Sequence, residues 1–369
     1  MAQSGRELIG TVVSIQANYY SVQLDEVRGE DGESVLLLCI RRALLKKLGQ
    51  QIMVGDRVVV EEPDWQGMRG AIAQIKPRKA FLDRPPIANV DQILLVFALA
   101  EPDLDPHQLS RFLVKAESTE MSIALCLNKQ DLLSEKQISE WQDRLSNWGY
   151  YPLFASIRDD TALGEALMSA LAGKLTVVAG PSGVGKSSLT NRLVPNQAQR
   201  VSAVSGKLGR GRHTTRHVEL FEIPNGGFLA DTPGFNHPDI ECKPEALSKY
   251  FPEIRRRLAA DSCQFNDCLH RDEPGCAVRG DWERYEYYLK LLGEVMQQQE
   301  DRMQQRDEEA IEKVKMVEDG KVLHEPRLEA KKYRRTSRKT RNQAFQELCL
   351  DLSAVEDLEA LEDLEDLGY

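Results

Sequence analysis

Asn128-Lys129-Gln130-Asp131 precedes Gly180-Pro181-Ser182-Gly183-Val184-Gly185-Lys186-Ser187 in this chain by about fifty residues. The second stretch fits G-x-x-x-x-G-K-[ST]. In such a loop backbone N–H groups wrap phosphates, the lysine neutralises the β/γ oxygens and the hydroxyl reaches Mg²⁺. The first fits N-K-x-D, whose carboxylate can accept from the N1–H and exocyclic amine of guanine, a pair of donors that adenine lacks. Ras-like GTPases carry the two motifs in the opposite order. Two parts of one nucleotide site in inverted order predict a circularly permuted α/β P-loop GTPase domain.

The flanking pattern agrees. Gln92–Ala98 reads as a buried strand, Gln108–Glu117 as an amphipathic helix, and Ser139–Trp148 as another helix. Ile123–Leu127 reads as the strand that delivers Asn128 at its C-terminal end, and Leu175–Ala179 as the strand that feeds Gly180, with a helix starting near Ser187. Such alternation predicts a parallel sheet with ligands at the strand C-termini. Asp231-Thr232-Pro233-Gly234 fits D-x-x-G after the strand Phe228–Ala230. Asp231 is expected on a Mg²⁺-bound water and the Gly234 N–H on the γ-phosphate. Ser188 completes the expected nucleotide contacts.

Phe235 stands where Ras-like enzymes place a water-orienting Gln, so another group or a partner must supply that help. Gly209-Arg210-Gly211-Arg212-His213-Thr214-Thr215-Arg216 lies between the P-loop and Asp231. Thr215, with Thr214 as the alternative, is expected to complete the Mg²⁺ shell with Ser187. His213 is a candidate to position the attacking water, and the arginines to touch phosphates. A solvated basic loop is the competing reading. Ala155-Ser156, after a short strand Tyr151–Phe154, reads as an inverted form of the Ser-Ala pair that meets guanine O6 through a backbone N–H.

Residues 1–80 read as short strands with polar turns, predicting an OB-fold or an SH3-like barrel. Thr11–Ile15 and Tyr19–Leu24 form the first pair, followed by Val35–Ile40 and Arg57–Val60. Arg84-Pro85-Pro86 reads as a linker. Residues 81–238 are expected to form the GTPase domain, 239–300 a mostly helical zinc-binding domain, and 301–369 a charged helical or disordered tail. Trp282, Tyr285, Leu289, Leu292 and Met296 recur at helical spacing in the third of these.

Cys263, Cys268, His270 and Cys276 give C-x4-C-x-H-x5-C, a donor set that suits one structural zinc ion. Cys39, Cys126 and Cys349 sit in apolar patterns and read as buried thiols, and Cys242 as a bystander. Seven cysteines give no even disulfide framework.

The 369 residues are 41% hydrophobic and 29% charged, which predicts a soluble globular chain. The longest apolar run, Ile93–Ala100, is too short to span a bilayer, and polar residues follow Met1, so a cytoplasmic protein with no membrane partner is expected. The net charge of −10 is uneven. Nine acidic residues and no Lys or Arg lie between Gln343 and Tyr369, while Lys331–Arg335 and Arg338–Arg341 form a basic run. The basic run can meet phosphates even in an acidic chain. The tail reads either as disorder or as a screen against nonspecific RNA.

Barrel, permuted GTPase domain and Cys₃His module in this order resemble the RsgA (YjeQ) family of GTPases that depend on the small ribosomal subunit. The likeness runs over residues 9–293 and rests on Arg84-Pro85-Pro86-x-Ala88-Asn89-Val90-Asp91-Gln92, the nucleotide motifs, Gly211–Thr215 and the zinc ligands. It implies a monomeric factor that binds the subunit and its rRNA late in assembly and turns GTP into GDP with stimulation by the subunit. It also implies a hydrophobic residue at the place of Phe235 and a catalytic histidine at that of His213. OB-folds often bind RNA; Tyr19, Tyr20 and Trp65 are the stacking candidates, or else core. Two other readings compete. A guanylate-type kinase is opposed by Asn128–Asp131. An RNA-binding assembly scaffold, with nucleotide as a conformational lock, is kept open by Phe235.

Overall fold

The computed structural model describes residues 7–29, 34–83, 85–158, 165–194, 218–231, 238–311, 313–316 and 322–325. Strands β1 (Leu8–Gln16), β2 (Tyr19–Arg28), β3 (Ser34–Arg41), β4 (Arg57–Asp64) and β5 (Arg69–Ile75) close a barrel in the order β1-β2-β3-β5-β4. Only β3 and β5 run parallel. A short helix, α1 (Ala43–Lys47), joins β3 to β4. This closed five-stranded order is that of an OB-fold rather than an SH3-like barrel. Val12, Val22, Leu24, Leu37, Val58 and Ile72 fill its interior. A register shift between Val12 and Ser14 bends β1 and sends Val13 into the neighbouring core instead. Tyr20 is buried, whereas Tyr19 and Trp65 are exposed.

The stretch around Pro85-Pro86 is more than a linker. β6 (Phe81–Asp83) and β7 (Pro86–Ala88) pair antiparallel, with Pro86 opposite Asp83. Proline is tolerated there because it opens the strand. Asn89 follows at φ +55°; its Nδ2 donates to the Gly55 carbonyl and its Oδ1 accepts from the Lys79 N–H. Asp91 accepts from the Leu175 N–H. This segment thereby ties the barrel to the base of the next sheet.

That sheet contains β8 (Gln92–Ala98), β9 (Ser122–Asn128), β10 (Leu153–Phe154), β11 (Leu175–Ala179), β12 (Leu220–Glu222) and β13 (Phe228–Asp231), in the order β10-β9-β8-β11-β13-β12. All neighbours are parallel except β12 with β13. β8 is buried along its whole length, as its unbroken apolar run requires of a central parallel strand. Ile93, Leu95 and Phe97 face a core shared with α2 (Pro106–Glu117) and α3 (Glu135–Trp148). Leu94, Val96 and Ala98 face a core shared with α4 (Glu165–Leu171) and α5 (Lys186–Leu193).

α3 begins four residues before Ser139, because Ser134 and Gln137 form a capping box that satisfies the first free N–H groups. Beyond the sheet come α6 (Pro244–Leu247), α7 (Pro252–Ala260) and α8 (Tyr285–Ile311). Phe251, Ile254, Tyr288, Leu292 and Val295 pack there on Val114 of α2. A second unit, Gln297–Tyr369, contains the antiparallel pair β14 (Lys313–Met316) and β15 (Val322–Glu325), a ladder absent from the sequence reading. The basic run, the acidic tail and Cys349 lie outside the described residues. Among the described residues, no helix is long and apolar enough to cross a membrane.

Candidate nucleotide site and metal centre

Leu175–Ala179 delivers Gly180 to the C-terminal edge of the sheet. Gly180 has φ +140°, and a Cβ there would lie 2.1 Å from the Val96 carbonyl oxygen, so only glycine lets the loop cross β8 so closely. The loop ends at Gly185, φ +94°, which caps α5 in the left-handed conformation. The first turn of α5 brings free N–H groups and the positive end of its dipole to the loop. The Lys186 ammonium donates to the carbonyls of Gly180 (2.9 Å) and Pro181 (2.6 Å), folding back over the loop. Val184 is buried, and Ser182, Gly183, Ser187 and Ser188 are exposed.

The structure brings the N-K-x-D loop against this one. Asn128 ends β9 fully buried, and its Nδ2 donates to the Val184 carbonyl at 2.9 Å. A Cβ on Gly185 would meet that same Nδ2 at 2.5 Å. The two motifs are therefore in contact, as the permuted order demands. Asn128 Oδ1 is buried without a partner among the described residues. Lys129 takes φ +63°, and its ammonium reaches the carbonyls of Glu101 and Gly183. Its left-handed backbone turns the chain into the 3₁₀ turn Gln130–Leu132, which presents Asp131.

Asp131 Oδ1 accepts from the Ser156 hydroxyl at 2.6 Å, and Arg158 Nη1 lies 3.7 Å from its Oδ2. Ala155 uses only its backbone, accepting from Gln130 N and donating to Leu127 O. Of the Ala155-Ser156 pair, Ser156 is therefore the residue whose side chain meets Asp131, and Ile157 follows it. Arg158, two positions after Ser156, is a neighbour of Asp131 that the sequence reading does not name.

Asp231 ends β13, in register with Val178 of the P-loop strand. Arg210, Arg212, His213, Thr214, Thr215, Arg216, Gly234 and Phe235 lie outside the described residues.

The four ligand candidates converge in the segment between α7 and α8. His270 Nδ1 lies 3.5 Å from Cys263 Sγ, 3.4 Å from Cys268 Sγ and 3.6 Å from Cys276 Sγ; Cys263 and Cys276 Sγ are 4.0 Å apart. Around a tetrahedral ion with Zn–S of about 2.3 Å and Zn–N of about 2.0–2.1 Å, sulfur and nitrogen stand about 3.6 Å apart. The cluster can hold such an ion as it stands. Its loop is fixed from within and from outside: the Glu273 carboxylate accepts from Leu269 N and Arg271 N, and the hydroxyls of Tyr285 and Tyr288 on α8 donate to the carbonyls of His270 and Leu269. Burial holds the His270 imidazole below its ordinary pKa, in the neutral form a ligand needs. Cys242 stands outside the cluster, and Cys39 and Cys126 are buried thiols raised to about 12 by desolvation.

A P-loop and an N-K-x-D loop joined on one sheet edge in inverted chain order define a circularly permuted P-loop GTPase. The chain belongs to the RsgA GTPase family, whose sequence profile matches residues 75–241. It is 60% identical over 359 residues to the small ribosomal subunit biogenesis GTPase RsgA 1 of Nostoc sp., covering 93% of this chain and 97% of that one. Among solved structures, YjeQ from Thermotoga maritima is 33% identical, with a TM-score of 0.64 over 79% of this chain and 99% of that one. The circularly permuted GTPase YloQ is 31% identical, with a TM-score of 0.66 over 81% and 98%. The enzyme of this family is a GTP hydrolase.

Proposed function

We propose that this chain hydrolyses GTP to GDP and phosphate on the small ribosomal subunit during its late assembly, and that the subunit stimulates the reaction. The contact between Asn128 and Val184 carries the nucleotide reading, because it joins base loop and phosphate loop in one site. The ribosomal reading is supported by the similarity to the Nostoc relative, a small ribosomal subunit biogenesis GTPase.

Asp131, oriented by Ser156, accepts from the guanine N1–H and amine; Asn128, Lys129 and Gln130 shape that pocket. The N–H group of Ile157, the residue after the serine, is the candidate for O6. Residues 180–188 wrap the phosphates, and Lys186 leaves its loop carbonyls to neutralise the β/γ oxygens. Water attacks the γ-phosphorus as the bridging oxygen leaves with GDP. His213 positions that water, and Thr215, Asp231 and Gly234 surround the γ-phosphate. The exposed Ser187 hydroxyl and Thr215 would hold magnesium, which would supply neutralisation of phosphate charge there. The Cys₃His centre takes one structural zinc ion through Cys263, Cys268, His270 and Cys276. The domain limits at 80, 238 and 300, the monomeric state, the rRNA contact and the cytoplasmic location belong to this proposal.

GTP hydrolysis by the purified protein, alone and with small or large subunits, tests it. Small subunits alone are expected to raise the rate strongly. GTP binding without any stimulation would reject the proposal in favour of a scaffold in which nucleotide is a lock, a reading that Phe235 supports.

A further inference from the structure

β12 lies, in chain order, between the two segments assigned above to the γ-phosphate. Residues 209–216 precede it, and Asp231 ends its partner β13. One edge of β12 pairs with β13, Leu220 against Ala230 and Glu222 against Phe228. The strand also meets the barrel. Ser14 of β1 forms an antiparallel bridge with Glu219. Val13 and Ile15 of the same strand pack in the core that contains Val218 and Leu220. At the other end of β12, Glu222 Oε1 accepts from the Ser34 hydroxyl at 3.1 Å and lies 3.7 Å from Arg28 Nη1. Arg28 and Ser34 face each other where β2 and β3 meet, and are themselves hydrogen-bonded. The Glu222 side chain is 18% exposed and that of Arg28 53%, so the hydrogen bond from Ser34 is the better shielded of the two contacts.

A three-residue edge strand held on both sides cannot shift against one neighbour without straining the other. We propose that Glu222 is a positioning residue that locks the barrel to the β12–β13 hairpin, so that barrel placement and nucleotide state are coupled through this strand. The inference rests on the nucleotide site proposed above and needs no ribosomal partner.

Hydrogen exchange on the full chain tests it, with GDP and with a non-hydrolysable GTP analogue, in wild type, Glu222→Ala, Glu222→Gln and Ser34→Ala. In wild type, changing the nucleotide is expected to alter exchange of the barrel amides near Ser14 and Ser34 about fivefold or more, the scale of an ordinary coupling between sites. In Glu222→Ala the barrel response disappears, while the P-loop keeps its response and nucleotide affinity stays within about twofold of wild type. Glu222→Gln, which still accepts from Ser34, retains part of the response, and Ser34→Ala weakens it without touching the carboxylate. Barrel amides of wild type that ignore the nucleotide while the P-loop responds would overturn the coupling. An Ala variant whose barrel responds like wild type would overturn the role of Glu222. A P-loop that responds to neither nucleotide would instead overturn the site reading and the coupling together.

Discussion

Asn128 and Ser156 show how single side chains assemble a base pocket from distant sequence. Asn128 commits its Nδ2 to the P-loop carbonyl of Val184, and Ser156 commits its hydroxyl to Asp131. Ser156 is 1% exposed, so the Asp131 carboxylate is oriented before guanine arrives. Replacing Ser156 by Ala removes one hydrogen bond to a charged group, worth about 1.5–3 kcal/mol. GDP affinity is therefore expected to fall about tenfold or more, read by titration of a fluorescent GDP. Lys186→Ala is expected to abolish GTP turnover, measured by phosphate release; unchanged turnover would contradict the phosphate role of the loop. Gly185→Ala places a methyl group 2.5 Å from Asn128 Nδ2 at φ +94°, so it should separate the two loops and weaken nucleotide binding more than Ser156→Ala does.

Elements whose own composition dictates them were legible in the sequence. β8 and β11 fall on the expected residues, since a buried parallel strand is an unbroken apolar run. Asn128 was legible as the end of a strand, and the cysteine spacing as a metal site. The rest depends on contacts far apart in the chain. β12 is not legible because three residues carry no period, and α4 because seven residues are too few for a helical period to stand out. The contact of Ser156 with Asp131 is not legible either, because it lies across a strand pair. The metal loop makes the prediction at this scale. Residues 263–276 hold little regular structure, so an ion bound by the four ligands would add to their order. One zinc per chain is expected by elemental analysis. Chelation, or Cys268→Ser, should expose Arg271 and Arg279 to trypsin while leaving GDP binding at the far loops intact. A protease-resistant loop after complete zinc loss would contradict a structural role for the ion.

Within the first unit, a buried cation helps to fasten the Cys₃His region to helix α2. Arg284 is fully buried; its Nε donates to Ser110 Oγ of α2 at 3.1 Å and its Nη1 to both Glu253 oxygens at 3.1 and 3.2 Å. Its guanidinium lies over the rings of Phe251, Trp148 and Tyr150, at 4.6, 4.9 and 5.8 Å. Breaking such a pair from one side strands a buried charge and costs about 3–5 kcal/mol, whereas replacing both partners by apolar groups can be nearly neutral. Arg284→Met is therefore expected to destabilise the protein severely, and Arg284→Met with Glu253→Leu much less. The pH dependence distinguishes this from lost packing. Burial raises the Glu253 carboxyl above its ordinary range, and Arg284 opposes that rise. A carboxyl raised on folding loses stability as pH climbs from its unfolded value to its folded one, and the penalty is complete above the latter. Without Arg284 the folded value rises further, so the single variant should lose more stability than wild type between about pH 5 and pH 8, and the double variant should not. Urea unfolding at both pH values reads the difference. A single variant whose deficit is the same at both would assign the cost to packing and remove the ion pair from the account.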